Sequence, residues 1–293
     1  MHIETLGAGP ALALIHGWAM HGGLFAPLVE RLAARYTLHL VDLPGHGHAC
    51  ADTAALDPAP IAAELVDRVP DAGWVGWSLG GQFALRAALD HPARVRGLVM
   101  VASSPRFVRG EDWPHGVEAQ VFRDFAALLQ QDYRATLEGF LALEALGSTT
   151  ARDDLCSLKA QAFARGEPSQ QALLQGLGLL DRLDLRAELP ALRVPSLWIS
   201  GRRDRLVPAG AMPAAAALAP DARSVVIADA GHAPFLNATA TVADEIDGFM
   251  QHVAVQAAAA ADAAAADADA DADGGRSAPV VGHAAGAHPG ATP

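Results

Sequence analysis

Cysteines are few in this chain, and they form no recognisable pattern. Cys50 and Cys156 are the 2 cysteines among 293 residues, and neither belongs to a C-x-x-C motif or to a Cys/His set with zinc-ligand spacing. We interpret both as free thiols in a reducing compartment. The histidines are scattered as well, so we expect no metal and no other cofactor.

Long apolar runs and export signals are also lacking. No segment reaches the roughly 18 uninterrupted apolar residues that a membrane-spanning helix needs. The first residues, Met1 to Gly7, contain neither the charged region nor the apolar core of a signal peptide. We therefore expect a cytoplasmic protein that does not associate with membranes.

Positive charge is scarce. The chain has 21 basic and 33 acidic residues, a formal net charge of −12, and Lys159 is its one lysine. Nucleic-acid binding requires a basic face or stripe, so this charge balance excludes nucleic acid as a partner. A chain of this length with 51% hydrophobic residues can form one large domain with an insertion, and we expect a monomer.

The strongest chemical signal lies at residues 72–81, where an apolar run enters a Gly-x-Ser-x-Gly motif and an Ala/Leu-rich segment leaves it. This order predicts a strand, a sharp turn and a helix. Gly76 and Gly80 are small enough to let such a turn hold Ser78 in a strained conformation beyond the strand end. Taken alone, the motif is equally typical of a glycine-rich turn with a solvated serine. The other residues of the site must distinguish these two interpretations.

A serine hydroxyl is a weak nucleophile that needs a histidine to accept its proton and a carboxylate to orient that histidine. Asp204 and His232 each follow an apolar run that predicts a strand. Serine, aspartate and histidine in this chain order, each in a loop beyond a strand, are typical of an α/β hydrolase. We predict Ser78 as nucleophile, His232 as base and Asp204 as orienting acid, with Asp229 as the alternative acid.

An oxyanion hole should accompany the nucleophile. One donor is the backbone N–H of Leu79, the residue after the serine, and the other comes from the loop after an early strand. That loop contains Gly17 and Trp18, so we predict the Trp18 N–H as the second donor. His16 is expected to serve the hydrogen bonding of the loop and not the chemistry.

Domain organisation follows from periodicity. Strands and helices alternate over 1–107, whereas 108–182 shows helical periodicity only. We predict an α/β-hydrolase core, 1–107 and 183–253, with a mostly parallel sheet, helices on both faces and an inserted helical cap at 108–182. The Ala/Asp-rich residues 254–293 contain almost no large apolar side chain, so we predict a disordered tail. Its first Ala-rich part could instead extend the last helix.

Several segments together resemble the pimeloyl-acyl carrier protein methyl ester esterases of biotin synthesis, a family of the α/β-hydrolase superfamily. Some of them are common to the whole superfamily, but in combination they are typical of this family. They cover about residues 10–250 and comprise His16-Gly17-Trp18, 38–45, Gly76-Trp77-Ser78-Leu79-Gly80-Gly81, Val101-Ala102-Ser103-Ser104-Pro105, Phe140-Leu141-Ala142-Leu143 and His232-Ala233-Pro234-Phe235.

The resemblance implies hydrolysis of the methyl ester on a pimeloyl chain carried by acyl carrier protein, which gives a free carboxylate and methanol. It also implies which residues contact the substrate. These are Trp18, Trp77, Ser78, Leu79, Phe140, Leu141, Ala142, Leu143, Glu144 and His232.

A docking surface for the acidic carrier protein is implied as well, and we assign it to Arg134, Arg152 and Lys159. Gly139 and Cys156 stand at two positions where the family carries arginine. Because residues 108–182 include 7 basic and 11 acidic residues, any such surface must be local.

Two other interpretations remain open. A general carboxylesterase or a C–C bond hydrolase would share the same triad and core motifs. A non-catalytic binding protein on a hydrolase scaffold belongs to a different class, but such proteins usually lack a member of the triad. Superfamily members that use an aspartate nucleophile are disfavoured because Ser78 stands at that position.

Overall fold

The computed structural model describes the backbone of residues 1–274 and the side chains of residues 1–265. Within this part of the chain, seven strands form one sheet. In chain order they are β1 (His2–Gly7), β2 (Ala11–Ile15), β3 (Thr37–Asp42), β4 (Ala72–Trp77), β5 (Val95–Val101), β6 (Ser196–Gly201) and β7 (Ala222–Ile227).

The strands lie in the order β1-β3-β2-β4-β5-β6-β7. β1 pairs antiparallel with β3, and every other pair of neighbours is parallel. This confirms the predicted mostly parallel sheet. Because parallel strands end at the same edge, the loops after β2, β4, β6 and β7 all meet at the carboxyl edge of the sheet.

The described backbone contains the following α-helices in chain order. They are α1 (Ala26–Leu32), α2 (Pro58–Arg68), α3 (Leu79–Asp90), α4 (Ala119–Leu129), α5 (Tyr133–Ala145), α6 (Ala151–Ala162), α7 (Gln170–Arg182), α8 (Ala211–Ala216), α9 (Pro234–Asn237) and α10 (Thr239–Gly274).

Both faces of the sheet are covered. Along β4 the side chains alternate, so Trp74 packs on one face while Val75 and Trp77 pack on the other. Helices α2, α3 and α8 supply apolar side chains to the first face, and α1, α9 and α10 supply them to the second. Burial on both faces explains why the central strands are continuous apolar runs in the sequence.

Helices α4 to α7 lie between β5 and β6, where the alternation of strands and helices stops in the sequence. Side-chain caps fix the starts of two of them. Asp132 accepts a hydrogen bond from the Ala135 N–H at 3.0 Å at the start of α5, and Ser169 accepts one from the Ala172 N–H at 3.1 Å at the start of α7. Such caps satisfy backbone N–H groups that have no partner within the helix and so stabilise its first turn.

The first part of the predicted tail is helical. Residues 254–274 continue α10, which is the alternative left open for the Ala-rich part, and Met1–Val253 forms one compact unit. Alanine is the best helix former, and extending an existing helix avoids the cost of nucleation, so burial is not required. The rest of the predicted tail, 275–293, lies outside the described residues.

Three further observations concern membrane helices, metal sites and cysteines. Among the residues that were searched, no helix is long and apolar enough to cross a membrane. In the same described part, no group of three or more His, Cys, Asp and Glu side chains could hold a metal ion. Cys50 and Cys156 are both free thiols.

Candidate active site

Ser78 occupies the turn between β4 and α3, with φ 53° and ψ −123°. A positive φ at a residue with a side chain costs roughly 1–3 kcal/mol, so packing must hold it in place. Two glycines make that packing possible. A Cβ on Gly76 would lie 2.4 Å from the backbone of α3, and one on Gly80 would lie 2.2 Å from the Ile15 carbonyl oxygen.

Ser78, His232 and Asp204 form one chain of hydrogen bonds. The Ser78 Oγ lies 2.8 Å from the Nε2 of His232, and the Nδ1 of His232 lies 2.8 Å from a carboxylate oxygen of Asp204. The other Asp204 oxygen accepts the N–H groups of Leu206 and Val207 at 2.8 and 2.9 Å. The structure thus brings together three residues that are far apart in the sequence.

The protonation of His232 is set by opposing effects. Burial disfavours the imidazolium, but the Asp204 carboxylate and its hydrogen bond favour it, and Glu144 adds to that attraction, so the pKa of His232 is raised above its ordinary value. With Nδ1–H donating to Asp204, Nε2 is left to accept the Ser78 hydroxyl proton. This arrangement suits a base that must become a stable imidazolium during the reaction.

The two predicted oxyanion donors lie beside the serine. Neither the backbone N–H of Trp18 nor that of Leu79 has an acceptor among the described residues, whereas the indole N–H of Trp18 donates to the Leu173 carbonyl oxygen at 2.8 Å. Gly17 brings the first loop close, since a Cβ there would lie 3.0 Å from the Ser78 Cβ. His16 fixes this loop by accepting the Leu43 N–H at 3.0 Å and bonding the Gly17 carbonyl at 2.7 Å.

His16 is a neutral structural residue. Burial, followed by the neighbouring His46, lowers the pKa of His16 to about 3. Burial likewise lowers the pKa of His46 to about 4. Both imidazoles therefore stay uncharged at neutral pH and serve the hydrogen bonding of the loops around the oxyanion site, as expected for His16.

An apolar wall lies over the oxyanion site. The Trp18 and Phe140 rings are 4.3 Å apart, and Phe125 packs against Phe140 at 5.1 Å. Gly176 of α7 lies close to both donor residues, because a Cβ there would come within 2.7 Å of the Trp18 ring and 3.1 Å of the Leu79 side chain. Three segments that are distant in sequence thus meet at Trp18, one of the two predicted donor residues.

The other residues implied by the resemblance occupy different positions. Trp77 is buried behind the base and donates its indole N–H to the His232 carbonyl oxygen at 2.8 Å. Leu141 packs in the same core cluster as Trp77, while Leu143 is half-buried. Ala142 is exposed on the outer side of α5, so the structure does not place it with the others.

Glu144 is the acidic residue among those implied by the resemblance. It is 1% exposed, and neither carboxyl oxygen has a hydrogen-bond partner among the described residues. Burial raises its pKa to about 8, partly offset by His232 and reinforced by Asp204. A buried carboxyl close enough to interact with both charged members of the triad is a polar group inside an otherwise apolar region.

The three predicted docking residues differ in their surroundings. Arg134 pairs with Glu167, and Lys159 pairs with Glu138 at 2.6 Å. Arg152 is exposed, and no carboxylate of the described side chains lies within ion-pair distance of it. Two of the three charges are therefore already neutralised on the surface.

Ser103 is a positioning residue that the sequence reasoning missed, and Asp42 is a second residue that holds loops beside the site. Ser103 donates its hydroxyl proton to the Ser78 carbonyl oxygen at 2.6 Å and so holds the strained turn. Asp42 accepts the Gly22 N–H at 2.6 Å and the His48 N–H at 2.9 Å, which ties together two loops beside the site. Their position in the sequence could have indicated this role, because each residue stands at or just after the carboxyl end of a strand.

Comparison with known proteins agrees with this geometry. The family model for the alpha/beta hydrolase fold matches residues 10–239. A curated protein named pimeloyl-acyl-carrier-protein methyl ester esterase from Xanthomonas oryzae pv. oryzae (strain MAFF 311018) is 56% identical over 253 residues, 86% of this chain and 100% of that protein. The protein of the same name from Stenotrophomonas maltophilia (strain K279a) is 56% identical over 252 residues, 86% of this chain and 95% of that protein.

Solved structures share the fold at lower identity. An esterase from Exiguobacterium antarcticum superimposes with a TM-score of 0.78 at 21% identity, covering 85% of this chain and 95% of that one. The enol-lactonase from Burkholderia xenovorans LB400 gives a TM-score of 0.75 at 19% identity, covering 85% and 96%. At such identity the likeness concerns the fold alone.

Proposed function

The chain belongs to the pimeloyl-acyl-carrier-protein methyl ester esterase family of the α/β hydrolases, and on this basis we propose that it hydrolyses pimeloyl-acyl carrier protein methyl ester in biotin synthesis. The products are methanol and a pimeloyl-acyl carrier protein whose chain ends in a free carboxylate. The observation that carries the proposal is the high identity to curated relatives over most of the chain. The protein is accordingly a serine carboxylesterase.

The first half of the reaction forms an acyl-enzyme. The Ser78 oxygen attacks the ester carbonyl carbon while its proton moves to the Nε2 of His232. Negative charge develops on the carbonyl oxygen, and the N–H groups of Trp18 and Leu79 are assigned to stabilise it. The imidazolium then gives its proton to the methoxy oxygen, the C–O bond breaks, and methanol leaves.

The second half regenerates the enzyme. Water takes the place of methanol, loses a proton to the Nε2 of His232 and attacks the acyl carbon. Collapse of the second tetrahedral intermediate returns the proton to the Ser78 oxygen and releases the carboxylate. Asp204 stays ionised throughout and stabilises the imidazolium in both halves, with its two loop N–H bonds holding it in position.

The apolar wall supplies the binding energy for the acyl chain. We assign the Trp18 and Phe140 rings, together with the half-buried Leu143, to the methylene groups of the substrate. Burying one methylene contributes about 0.8 kcal/mol, so a long chain gains several kcal/mol that an acetyl group lacks. This difference favours long acyl esters over short ones.

The partner and the setting are further parts of the proposal. Acyl carrier protein is the partner because it carries the substrate. The cytoplasm is the proposed location, in keeping with two free thiols. We also propose that the protein acts as a monomer, since the assigned catalytic groups all come from one chain.

The test compares methyl pimeloyl-acyl carrier protein with an aryl acetate for the wild-type protein and for Phe140→Ala. We expect kcat/KM to be higher for the carrier-bound ester, and Phe140→Ala to lower it by roughly 10-fold for that ester and less for the acetate. If the wild-type protein turned over both esters equally well, the general carboxylesterase interpretation would replace this one.

A further inference from the structure

Three exposed arginines surround the catalytic acid at the end of β6. Arg202, Arg203 and Arg205 are all exposed, whereas Asp204 between them is buried. They follow Gly201, the last residue of β6, and therefore lie at the carboxyl edge of the sheet, the same edge at which Ser78 stands. Positive charge is thus concentrated beside the active site of a chain whose net charge is −12.

This loop contacts the turn between α5 and α6. A Cβ on Gly147 would lie 2.2 Å from the Arg203 carbonyl oxygen and 3.3 Å from the Arg203 side chain. The Thr149 hydroxyl donates to the Asp229 carbonyl oxygen at 3.2 Å, and Arg203 pairs with the Asp229 carboxylate at 3.1 Å. Arg152 follows Thr149 by three residues and is therefore close along the chain to this contact.

Most of these arginines have unmatched charge. Arg152, Arg202 and Arg205 have no carboxylate within ion-pair distance among the described side chains. Arg203 forms an ion pair with Asp229. Asp153, next to Arg152, is the other exposed acid in these two segments. The surface is therefore locally positive, unlike that around Arg134 and Lys159, whose charges are paired.

An apolar residue adjoins the arginines. Leu146, at the end of α5, is 53% exposed, and it directly precedes the glycine that touches Arg203. An exposed leucine beside a cluster of arginines has the composition of a surface that binds a partner carrying both apolar and acidic groups.

We propose that Arg152, Arg202, Arg203 and Arg205, here named the arginine rim, dock the acidic carrier protein with Leu146 as the apolar contact. The inference rests on the proposed function and moves the docking surface from Arg134 and Lys159 to the loop after β6. An acidic partner is repelled by most of this chain, so a local positive surface beside the active site both attracts it and orients it.

The experiment uses the full chain with Arg202→Glu/Arg205→Glu, measured at low salt on methyl pimeloyl-acyl carrier protein and on an aryl acetate. We expect kcat/KM on the carrier-bound ester to fall by roughly 10-fold or more, mainly through KM, and turnover of the acetate to change less than about two-fold. Arg202→Lys/Arg205→Lys should retain most of the activity on the carrier-bound ester, since the charge is kept. Raising the salt concentration should reduce the wild-type value towards that of the charge-reversed variant.

The matched control is Arg193→Glu. Arg193 is exposed, has no carboxylate partner among the described side chains and precedes β6, so it lies at the opposite, amino edge of the sheet. It should leave both substrates unaffected. Equal losses from Arg193→Glu and the rim variant, or no loss from the rim variant with a salt-independent wild type, would overturn the docking surface. Failure of the wild-type protein to prefer the carrier-bound ester would instead overturn the proposed function.

Discussion

At the scale of single residues, catalysis depends on where each charge is held. Asp204 is 6% exposed and receives two backbone N–H groups besides the His232 ring, whereas Asp229, which follows the next strand along the chain, has a side chain 71% exposed and pairs with Arg203. A buried, fixed carboxylate can hold one imidazole tautomer, and an exposed one cannot. The structure therefore favours Asp204 over the alternative acid.

This difference gives a residue-scale prediction. Ser78→Ala and His232→Ala should each lower kcat by ~10⁴ or more, and the double variant should be little worse, because the residues act as a unit. Asp204→Asn should cause a loss of up to ~10⁴-fold through the wrong tautomer. Steady-state kinetics on an aryl acetate measures all of them. Asp229→Asn is the matched control, and near-normal activity of Asp204→Asn with a loss in Asp229→Asn would reverse the assignment.

The three triad candidates could be selected from the sequence because chain order and the ends of apolar runs are both visible there. Ser78, Asp204 and His232 each follow a recognisable apolar run, and parallel strands bring such loop positions to one edge. The burial of Glu144 could not be derived in this way. Its helix is amphipathic, and which face meets the triad depends on how α5 packs, which local periodicity does not specify.

At the scale of elements, α7 governs the shape of the oxyanion site. Gly176 and Gly178 lie two residues apart on this helix, but their surroundings differ. A Cβ on Gly176 would press on the Trp18 ring at 2.7 Å, whereas one on Gly178 would meet the flexible end of the Arg182 side chain at 2.8 Å. The first contact is with a buried ring that cannot move without displacing the loop.

We predict opposite outcomes for alanine at these two glycines. Gly176→Ala should displace Trp18 or α7 and lower kcat/KM for every ester, short or long, by roughly 10-fold or more, since a misplaced oxyanion donor can cost that much or more. Gly178→Ala should leave kinetics unchanged and stabilise the helix by up to about 1 kcal/mol. Aryl acetate kinetics and thermal unfolding distinguish the two, and unchanged kinetics in Gly176→Ala would show that the helix adapts freely.

The elements themselves were predictable where they are long or buried. The central strands stand out as apolar runs, but β1, His2–Gly7, is a partly exposed edge strand of mixed residues and has no clear periodicity. Its place is determined by pairing with β3, a contact between residues on either side of β2. The extension of α10 beyond Val253 follows from the helix propensity of alanine, whereas the lack of apolar side chains to bury favours disorder there.

At the scale of the whole molecule, Glu144 links stability to pH. Burial raises the pKa of its carboxyl in the folded protein from 4.5 to about 8. Between these values the folded state holds a proton that the unfolded state has lost. The free energy of unfolding therefore falls as pH rises through this range, by up to about 1.4 kcal/mol per pH unit for one proton.

His232 changes stability in the same direction. The pKa of His232 is higher in the folded protein than in the unfolded chain. Its contribution to the free energy of unfolding is therefore fully present below the unfolded pKa and is lost as pH rises through the folded pKa. Glu144 is one cause of that raised pKa. Replacing Glu144 by an uncharged residue should therefore reduce the contributions of both Glu144 and His232 to the pH dependence of stability. The change of unfolding free energy with pH is for this reason a sharper readout than the stability at a single pH.

We predict that Glu144→Gln unfolds with a flatter pH dependence than the wild-type protein. Urea unfolding at pH 6.5 and pH 8 should show the wild type losing on the order of 1 kcal/mol more than the variant over this interval. Glu138→Gln is the matched control on the same helix, because Glu138 is exposed and pairs with Lys159 on the surface, so its slope should equal that of the wild type. Parallel pH profiles for the wild type and Glu144→Gln would mean that the Glu144 carboxyl is already ionised in the folded protein at pH 6.5, and that a water molecule or another group satisfies it.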